Sequence, residues 1–237
     1  MKTTLIFKVI LYDSAQILGN SSVSFFQDVN GRVASVASES EQSIITWIMS
    51  DVQIRKFVLG CLKLDSNTGC KVCVREPLIS NAARKPGDID ILLCEDRKLS
   101  NAVAFQCKRV KVVSQNTDSD VVNKIESISD GVRQANATRE MGFYNTYLCL
   151  IIQTDGRMRK DNNFAFRGPT RETFSKIYDF PKRDEIDDDV GVIFIEISQP
   201  TGKNIEEACY IGVCVDKWAK PVEQPRRITE HIRNIFS

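Results

Sequence analysis

Two short stretches hold side chains that could act together on a phosphate. The first is Pro86-Gly87-Asp88-Ile89-Asp90-Ile91-Leu92-Leu93, and the second is Gln106-Cys107-Lys108, inside the run Ala102–Val113. Both read as strands: each is a short apolar run, with Lys85-Pro86-Gly87 ahead of the first and the charged turn Glu95-Asp96-Arg97-Lys98 between them. Side chains alternate across a strand, so Asp88 and Asp90 share one face, and Gln106 and Lys108 share another. Polar groups in such runs are costly to bury without partners. If the strands pair, Asp90 comes beside Gln106 and Lys108, and a carboxylate, an amide oxygen and an ammonium meet on one patch.

That set suits metal-assisted hydrolysis of a phosphodiester. Mg²⁺, or Mn²⁺ in its place, takes hard oxygen ligands and keeps several waters. Asp90 would supply charge, Gln106 a neutral oxygen, and the Cys107 main-chain carbonyl a third donor. The ion would polarise the phosphate and acidify its water, and Lys108 would orient that water or neutralise the charge developing on phosphorus-bound oxygens. Asp88 stands either as a further ligand or as a strand-start residue after the Pro86-Gly87 turn. Asp90 with Lys108 also admits a bland reading, a buried ion pair between neighbouring strands.

The elements that must position these groups follow from periodicity. Residues 1–37 read as a strand or hairpin prelude, with a strand at Leu5–Leu11 and turn signals at Gly19-Asn20 and Asn30-Gly31. A helix opens near Ser38, where Ser38 and Glu41 have capping-box spacing, and Ile44, Ile45, Ile48, Val52 and Phe57 form its stripe. Strands follow at Cys70–Leu78, Asp88–Cys94 and Ala102–Val113, then a helix from Val121 to Met141 closed by Gly142. Asn145–Thr154 is a strand whose continuous apolar run suggests burial on both faces. Asp155–Lys182 looks irregular. A strand at Gly191–Ile197, a strand or helix at Ile205–Val215 and an amphipathic helix at Arg227–Phe236 complete the chain. The expected fold is α/β: one domain with an αβββαβ core at 38–154, a mixed central sheet flanked by helices, and additions at 1–37 and 155–237.

The pattern GDID, a short gap, then a hydrophobic strand carrying QxK resembles the PD-(D/E)xK nuclease superfamily, whose members include restriction enzymes and Holliday-junction resolvases. The resemblance spans roughly Ser38 to Thr154, and its motifs are short. It implies a restriction-endonuclease-like core and a Mg²⁺-dependent endonuclease acting most often on DNA, in host defence, restriction or repair. By position, Asp90 matches the family's metal-binding aspartate and Lys108 its lysine. Gln106 replaces the commoner glutamate, which removes one negative charge from the site. The family often adds a glutamate from the preceding helix; Glu41 shares a face with Ile44, Ile45 and Ile48, so it is the candidate, with capping as its competing role. Gln134 is the candidate for a polar residue lent by the helix after the third strand, with a solvated position as its alternative.

Composition sets the limits. The chain has 237 residues, with 32 Lys+Arg against 31 Asp+Glu and a net charge of +1, so any polyanion must meet a local patch or a metal ion rather than a uniformly basic surface. One histidine, His231, excludes any multi-histidine metal centre. The eight cysteines mostly sit in apolar runs and read as small buried hydrophobes of a reducing compartment, making the cytoplasm the expected location. Cys70-Lys71-Val72-Cys73 lacks the second pair or nearby histidine a zinc site needs. No run is long and apolar enough to span a membrane. The segment 156–176 carries Arg157, Arg159, Lys160, Arg167, Arg171 and Lys176 among Phe164, Phe166 and Phe174. Those types contact phosphates and stack on bases; equally, they suit a solvated loop with its aromatics in the core. The partner expected is nucleic acid, with no membrane. A homodimer fits enzymes that cut both strands. Two rivals remain: a nuclease fold kept for binding after Gln106 weakened catalysis, and a structural or protein-interaction protein.

Overall fold

The three apolar runs around the polar residues form an antiparallel meander: β3 (Gly69–Val74), β4 (Ile89–Cys94) and β5 (Val103–Ser114). These assignments come from a computed structural model that describes residues 3–11, 14–23, 40–75, 87–95, 98–116, 118–156, 168–199 and 208–237; within 3–23, at 199 and at 208–210 only the backbone is described.

After β5 the chain turns through a short strand, β6 (Asp120–Asn123), and a helix, α3 (Ile128–Met141), into β7 (Asn145–Asp155), which lies parallel to β5. Every residue of β7 after Asn145 is buried, as its unbroken apolar run predicts. β8 (Val190–Gln199) lies parallel to β7, and β9 (Ala208–Lys217) runs antiparallel to β8. β1 (Thr3–Leu11) pairs with β9, and β2 (Ser14–Val23) with β1. The result is one nine-stranded mixed sheet in the order β2-β1-β9-β8-β7-β5-β4-β3, with β6 on the edge of β5. Both ends of the chain therefore extend the same sheet.

Helices cover both faces. α1 (Glu41–Ser50) and α2 (Val52–Cys61) bury Ile44, Ile45, Ile48, Ile54 and Leu59 against Ile91, Phe105, Cys107, Cys149 and Ile195. On the other face α3 and α4 (Arg171–Tyr178) cover Val110, Leu148, Leu150 and Phe194. α5 (Arg226–Phe236) closes the end near β4, with Ile228 and Ile232 on Leu92, Ala104 and Phe143. No described helix is long and apolar enough to cross a membrane.

Several local expectations need correction. The helix near Ser38 is two helices: Asp51 caps the end of α1 and, through its carboxylate, the N–H groups of Gln53 and Ile54 at the start of α2. The N-cap of α1 is Ser40, whose hydroxyl accepts from the Ser43 N–H; Ser38 lies outside the described residues. Glu41 is therefore the first helical residue, not the third of a capping box. Residues 120–123 are strand, because β-branched Val121 and Val122 continue the sheet before left-handed Lys124 (φ 69°) breaks it. The Gly19-Asn20 pair is inside β2, beside a bulge at Phe7/Lys8, while Asn30-Gly31 is outside the described residues. The irregular segment contains α4, and the ambiguous stretch near 205–215 is the strand β9.

Candidate functional site

The β4–β5 ladder runs through Leu93↔Val103, Leu92↔Ala104 and Ile91↔Phe105, and stops there. On the far side of β4, Cys73 takes a left-handed conformation (φ 51°), and the register of β3 on β4 passes from Val72↔Ile91 to Val74↔Ile89 without a Cys73 pair. A β-carbon there costs about 1–2 kcal/mol, so the strands are bent at the level of Asp90. Past this point β5 continues with backbone N–H groups that β4 does not take up.

Two carboxylates fill the gap. Asp90 Oδ2 accepts from the Cys107 N–H at 2.6 Å, and Glu41 Oε2 accepts from the Arg109 N–H at 2.6 Å. These donors are two residues apart, about 6.6 Å of strand. Glu41 reaches β5 because it is the first residue of α1, with Ile44, Ile45 and Ile48 packing the same helix onto the sheet. In a strand the N–H and C=O of one residue point the same way, so the Cys107 carbonyl opens into the same fork.

Burial pushes the Asp90 carboxyl from its ordinary 3.8 up to about 6. The Cys107 N–H and the Lys108 ammonium oppose that rise, while Glu41 and Asp88 reinforce it. Asp88 is exposed and acts at a distance; its carbonyl, however, is tied into the site.

Gln106 is buried on the α3 face. Its Nε2 donates to the Asp88 carbonyl at 3.2 Å and to Thr138 Oγ1 at 3.0 Å. The orientation is forced. A main-chain carbonyl can only accept, and the Thr138 hydroxyl already gives its proton to the Gln134 carbonyl. Gln106 Oε1 therefore faces away from both anchors. Gln134, one turn before Thr138, places its Nε2 over Gly87, and its buried Oε1 has no hydrogen-bond partner.

Lys108 is half-buried, and among the described residues its ammonium forms no ion pair with Asp90 or any other carboxylate. The buried-ion-pair reading thus loses its contact. The Lys108 stem crosses α3 at Gly131, where an added Cβ would stand 2.5 Å from Lys108 Cγ. Only glycine leaves room for the lysine to pass.

Asp90, Glu41, Gln106, Lys108 and Gln134 therefore gather around the end of the β4–β5 ladder. Among the described residues no three His, Cys, Asp or Glu side chains form a cluster able to hold a metal. The donors here are of another composition: two carboxylates, an amide oxygen and a backbone carbonyl. They are all hard oxygens, and among the described residues Asp88, Asp90 and Glu41 bring three carboxylates to the site, with Lys108 as an opposing charge on Asp90. Such a set fits a Mg²⁺-type ion.

Neither a family model nor a curated protein matches this chain.

Of the basic segment, Arg157, Arg159, Lys160 and Arg167 lie outside the described residues, as do Phe164 and Phe166. Arg171 is exposed at the start of α4, and Lys176 pairs with Glu172 at 2.7 Å. Phe174, partly buried, stacks on Tyr178 and leans on Phe194, so the ring is engaged with the core. The acidic run Asp184–Asp189 that follows has structural work: Asp189 pairs with Arg139, and the Asp187 N–H donates to Asn136 Oδ1.

Three residues near the site escaped sequence reasoning. Thr138 anchors Gln106, and its spacing of four from Gln134 on a helix was the available signal. Cys73 faces the site, where Asp90 and Asp88 add to the upward push of burial on its thiol and a hydrogen bond with Gln42 opposes it. Arg109 was hidden as one more cation in Lys108-Arg109-Val110-Lys111.

Proposed function

We propose that this protein is a Mg²⁺-dependent nuclease of the PD-(D/E)xK type that hydrolyses phosphodiester bonds, with DNA as the expected substrate. The observation that carries this reading is the fork itself: the ladder ends where two carboxylates take the freed N–H groups of β5, with a lysine that has no carboxylate partner among the described residues and an oriented amide on the strand that forms one wall. A purely structural ion pair would bring Lys108 onto Asp90. Here the lysine is held away by its packing on α3 and is left available for chemistry. The run α1, α2, β3, β4, β5, β6, α3, β7, in which β5 and β7 are parallel, is compatible with an αβββαβ core carrying an extra helix and edge strand.

Asp90, the Gln106 amide oxygen and the Cys107 carbonyl would hold the ion, with Glu41 assisting. Bound there, the ion would supply Lewis-acid activation of the phosphate and acidification of a water. The protein's own groups do the rest. The Cys107 and Arg109 N–H groups keep both carboxylates aimed into the fork, and Thr138 with the Asp88 carbonyl fixes the Gln106 amide. Partial burial raises the cost of charge at Asp90, and Lys108 would bring a positive charge to the oxygens that become more negative during attack.

The test is incubation of supercoiled plasmid, linear duplex, single-stranded DNA and RNA with Mg²⁺ or with EDTA. Asp90→Ala and Lys108→Ala should each abolish Mg²⁺-dependent cleavage while the circular-dichroism melt stays cooperative. Cleavage retained by both variants would overturn the assignment.

A further inference from the structure

Beyond the fork, β5 carries a second polar group that finds no side-chain partner among the described residues. Odd-numbered residues of β5 face α1: Val103, Phe105 and Cys107 belong to that core. Arg109 and Lys111 continue this face by alternation. On β7 the same face holds Tyr147, Cys149 and Ile151, and then Gln153. The parallel register sets Arg109 beside Ile151 and Lys111 beside Gln153, so the guanidinium and the carboxamide are diagonal neighbours.

Arg109 is only 7 % exposed, and its Nε and Nη1 have no hydrogen-bond partner among the described residues. Gln153 is fully buried, and neither its Oε1 nor its Nε2 has a partner among the described residues. No described carboxylate pairs with Arg109; Glu41, which touches that residue, bonds its backbone N–H. A buried guanidinium is ordinarily retained only with an anion against it. Lys111, half-buried on the same face, adds charge, and burial together with Arg109 and Lys124 holds its ammonium below the ordinary lysine range. A cation fork with free N–H donors, a free amide and a flanking lysine is the donor set that recognises a phosphate.

We propose that Arg109, Gln153 and Lys111 form an oxyanion pocket that takes a phosphate of the nucleic-acid backbone next to the one cleaved at the fork. This proposal rests on the nuclease reading for its substrate, but its chemistry, phosphate recognition, stands without it. Arg109 follows Cys107 by two residues, about 6.6 Å of strand, so a strand of nucleic acid laid along β5 would meet the fork and the pocket in succession. The pocket fixes the position of the substrate and takes no part in bond breaking. Its phosphate could belong to a nucleic acid or arrive free, and the two arms of the test separate these sources.

The experiment measures two quantities in EDTA, where cleavage is absent: anisotropy of a fluorescent single-stranded oligonucleotide across a salt series, and the thermal shift caused by inorganic phosphate. The proteins are wild type, Arg109→Gln, Arg109→Lys, Lys111→Gln and Gln153→Leu. Arg109→Gln should weaken oligonucleotide binding about tenfold or more and reduce the salt slope by about one. Arg109→Lys, a point charge without the fork, should lie between it and wild type. Lys111→Gln and Gln153→Leu should weaken binding several-fold, and they keep the test alive if Arg109→Gln fails to fold. Arg109→Gln should melt no lower than wild type without ligand, because it removes an unpaired buried charge. A phosphate-induced shift seen in wild type and absent in Arg109→Gln supports the pocket. That shift in a wild type that binds no oligonucleotide in EDTA would keep the pocket as a free-phosphate site and overturn its nucleic-acid role. Unchanged affinity and salt slope in all four variants would overturn the pocket, even if Asp90→Ala and Lys108→Ala abolish cleavage and so uphold the nuclease reading.

Discussion

The ionisation of Asp90 should be visible in the stability of the protein. Its carboxyl titrates at about 6 in the fold, against an ordinary 3.8 in the unfolded chain. The native state therefore holds this proton more tightly than the unfolded state. The stability it contributes is complete below about pH 4 and is lost as pH rises through about 6. A shift of that size is worth about 3 kcal/mol at about 1.36 kcal/mol per tenfold. Asp90→Asn keeps the shape and an oxygen able to accept from the Cys107 N–H, but it cannot ionise. In EDTA its melting temperature should match or fall slightly below wild type near pH 4 and exceed it near pH 8. The gain at high pH should approach about 6–12 °C, from about 2–4 °C per kcal/mol for a chain of this size. The rest of the sequence is common to the two proteins, so the difference curve reports on residue 90 and the groups it touches. Adding Mg²⁺ at pH 8 should recover much of the gap in wild type, since a cation beside Asp90 and Glu41 favours the ionised form, and should move the variant less. Melting curves that run parallel from pH 4 to pH 8 in EDTA would refute the reasoning, because they would mean that Asp90 is solvated rather than buried in the fork.

Further perturbations test the supports of the site. Gly131→Ala puts a methyl 2.5 Å from Lys108 Cγ and 3.0 Å from Leu148 Cδ1, and should cost about 1–3 kcal/mol in urea unfolding while lowering cleavage by displacing the lysine. Gly60→Ala, with nothing within 4 Å of the new methyl on the exposed face of α2, should instead stabilise by about 0.5–1 kcal/mol. Thr138→Val deprives Gln106 Nε2 of one of its two acceptors, and should cost about 1–3 kcal/mol and reduce kcat without changing the Mg²⁺-free melt of Asp90→Asn relative to its parent. Phe143→Ala, at a fully buried ring in the cluster with Met141, Ile228 and Ile232, should cost about 3–5 kcal/mol in urea unfolding.

The strands were legible where periodicity and burial agree. The run TYLCLIIQ announces a strand covered on both sides, and β7 is buried throughout. Legibility failed where local signals competed. Val121 and Val122 are spaced to join a helical stripe, yet they pair with β5, because a free edge of that strand was within reach of a β-branched pair. Ser38 and Glu41 have the spacing of a capping box, yet Ser40 holds the cap and Glu41 spends its carboxylate on the Arg109 N–H. Capping is decided by which hydroxyl meets the first turn; spacing alone supplies only candidates.

The sequence by itself determined the chemistry on offer: Asp90, Gln106 and Lys108 on two neighbouring strands, a single histidine, and a near-neutral chain that needs local charge to meet a polyanion. Those properties belong to residue types and to alternation along a strand, both of which are local. The tertiary structure alone decided where the ladder ends, and with it which N–H groups are freed for Asp90 and Glu41. It also decided that Lys108 runs past Gly131 instead of pairing with Asp90, and that among the described residues no carboxylate pairs with the buried guanidinium of Arg109. The physical reason is that pairing and desolvation depend on elements distant in the chain: Glu41 meets β5 across 68 positions of sequence, and no window of neighbouring residues contains that contact.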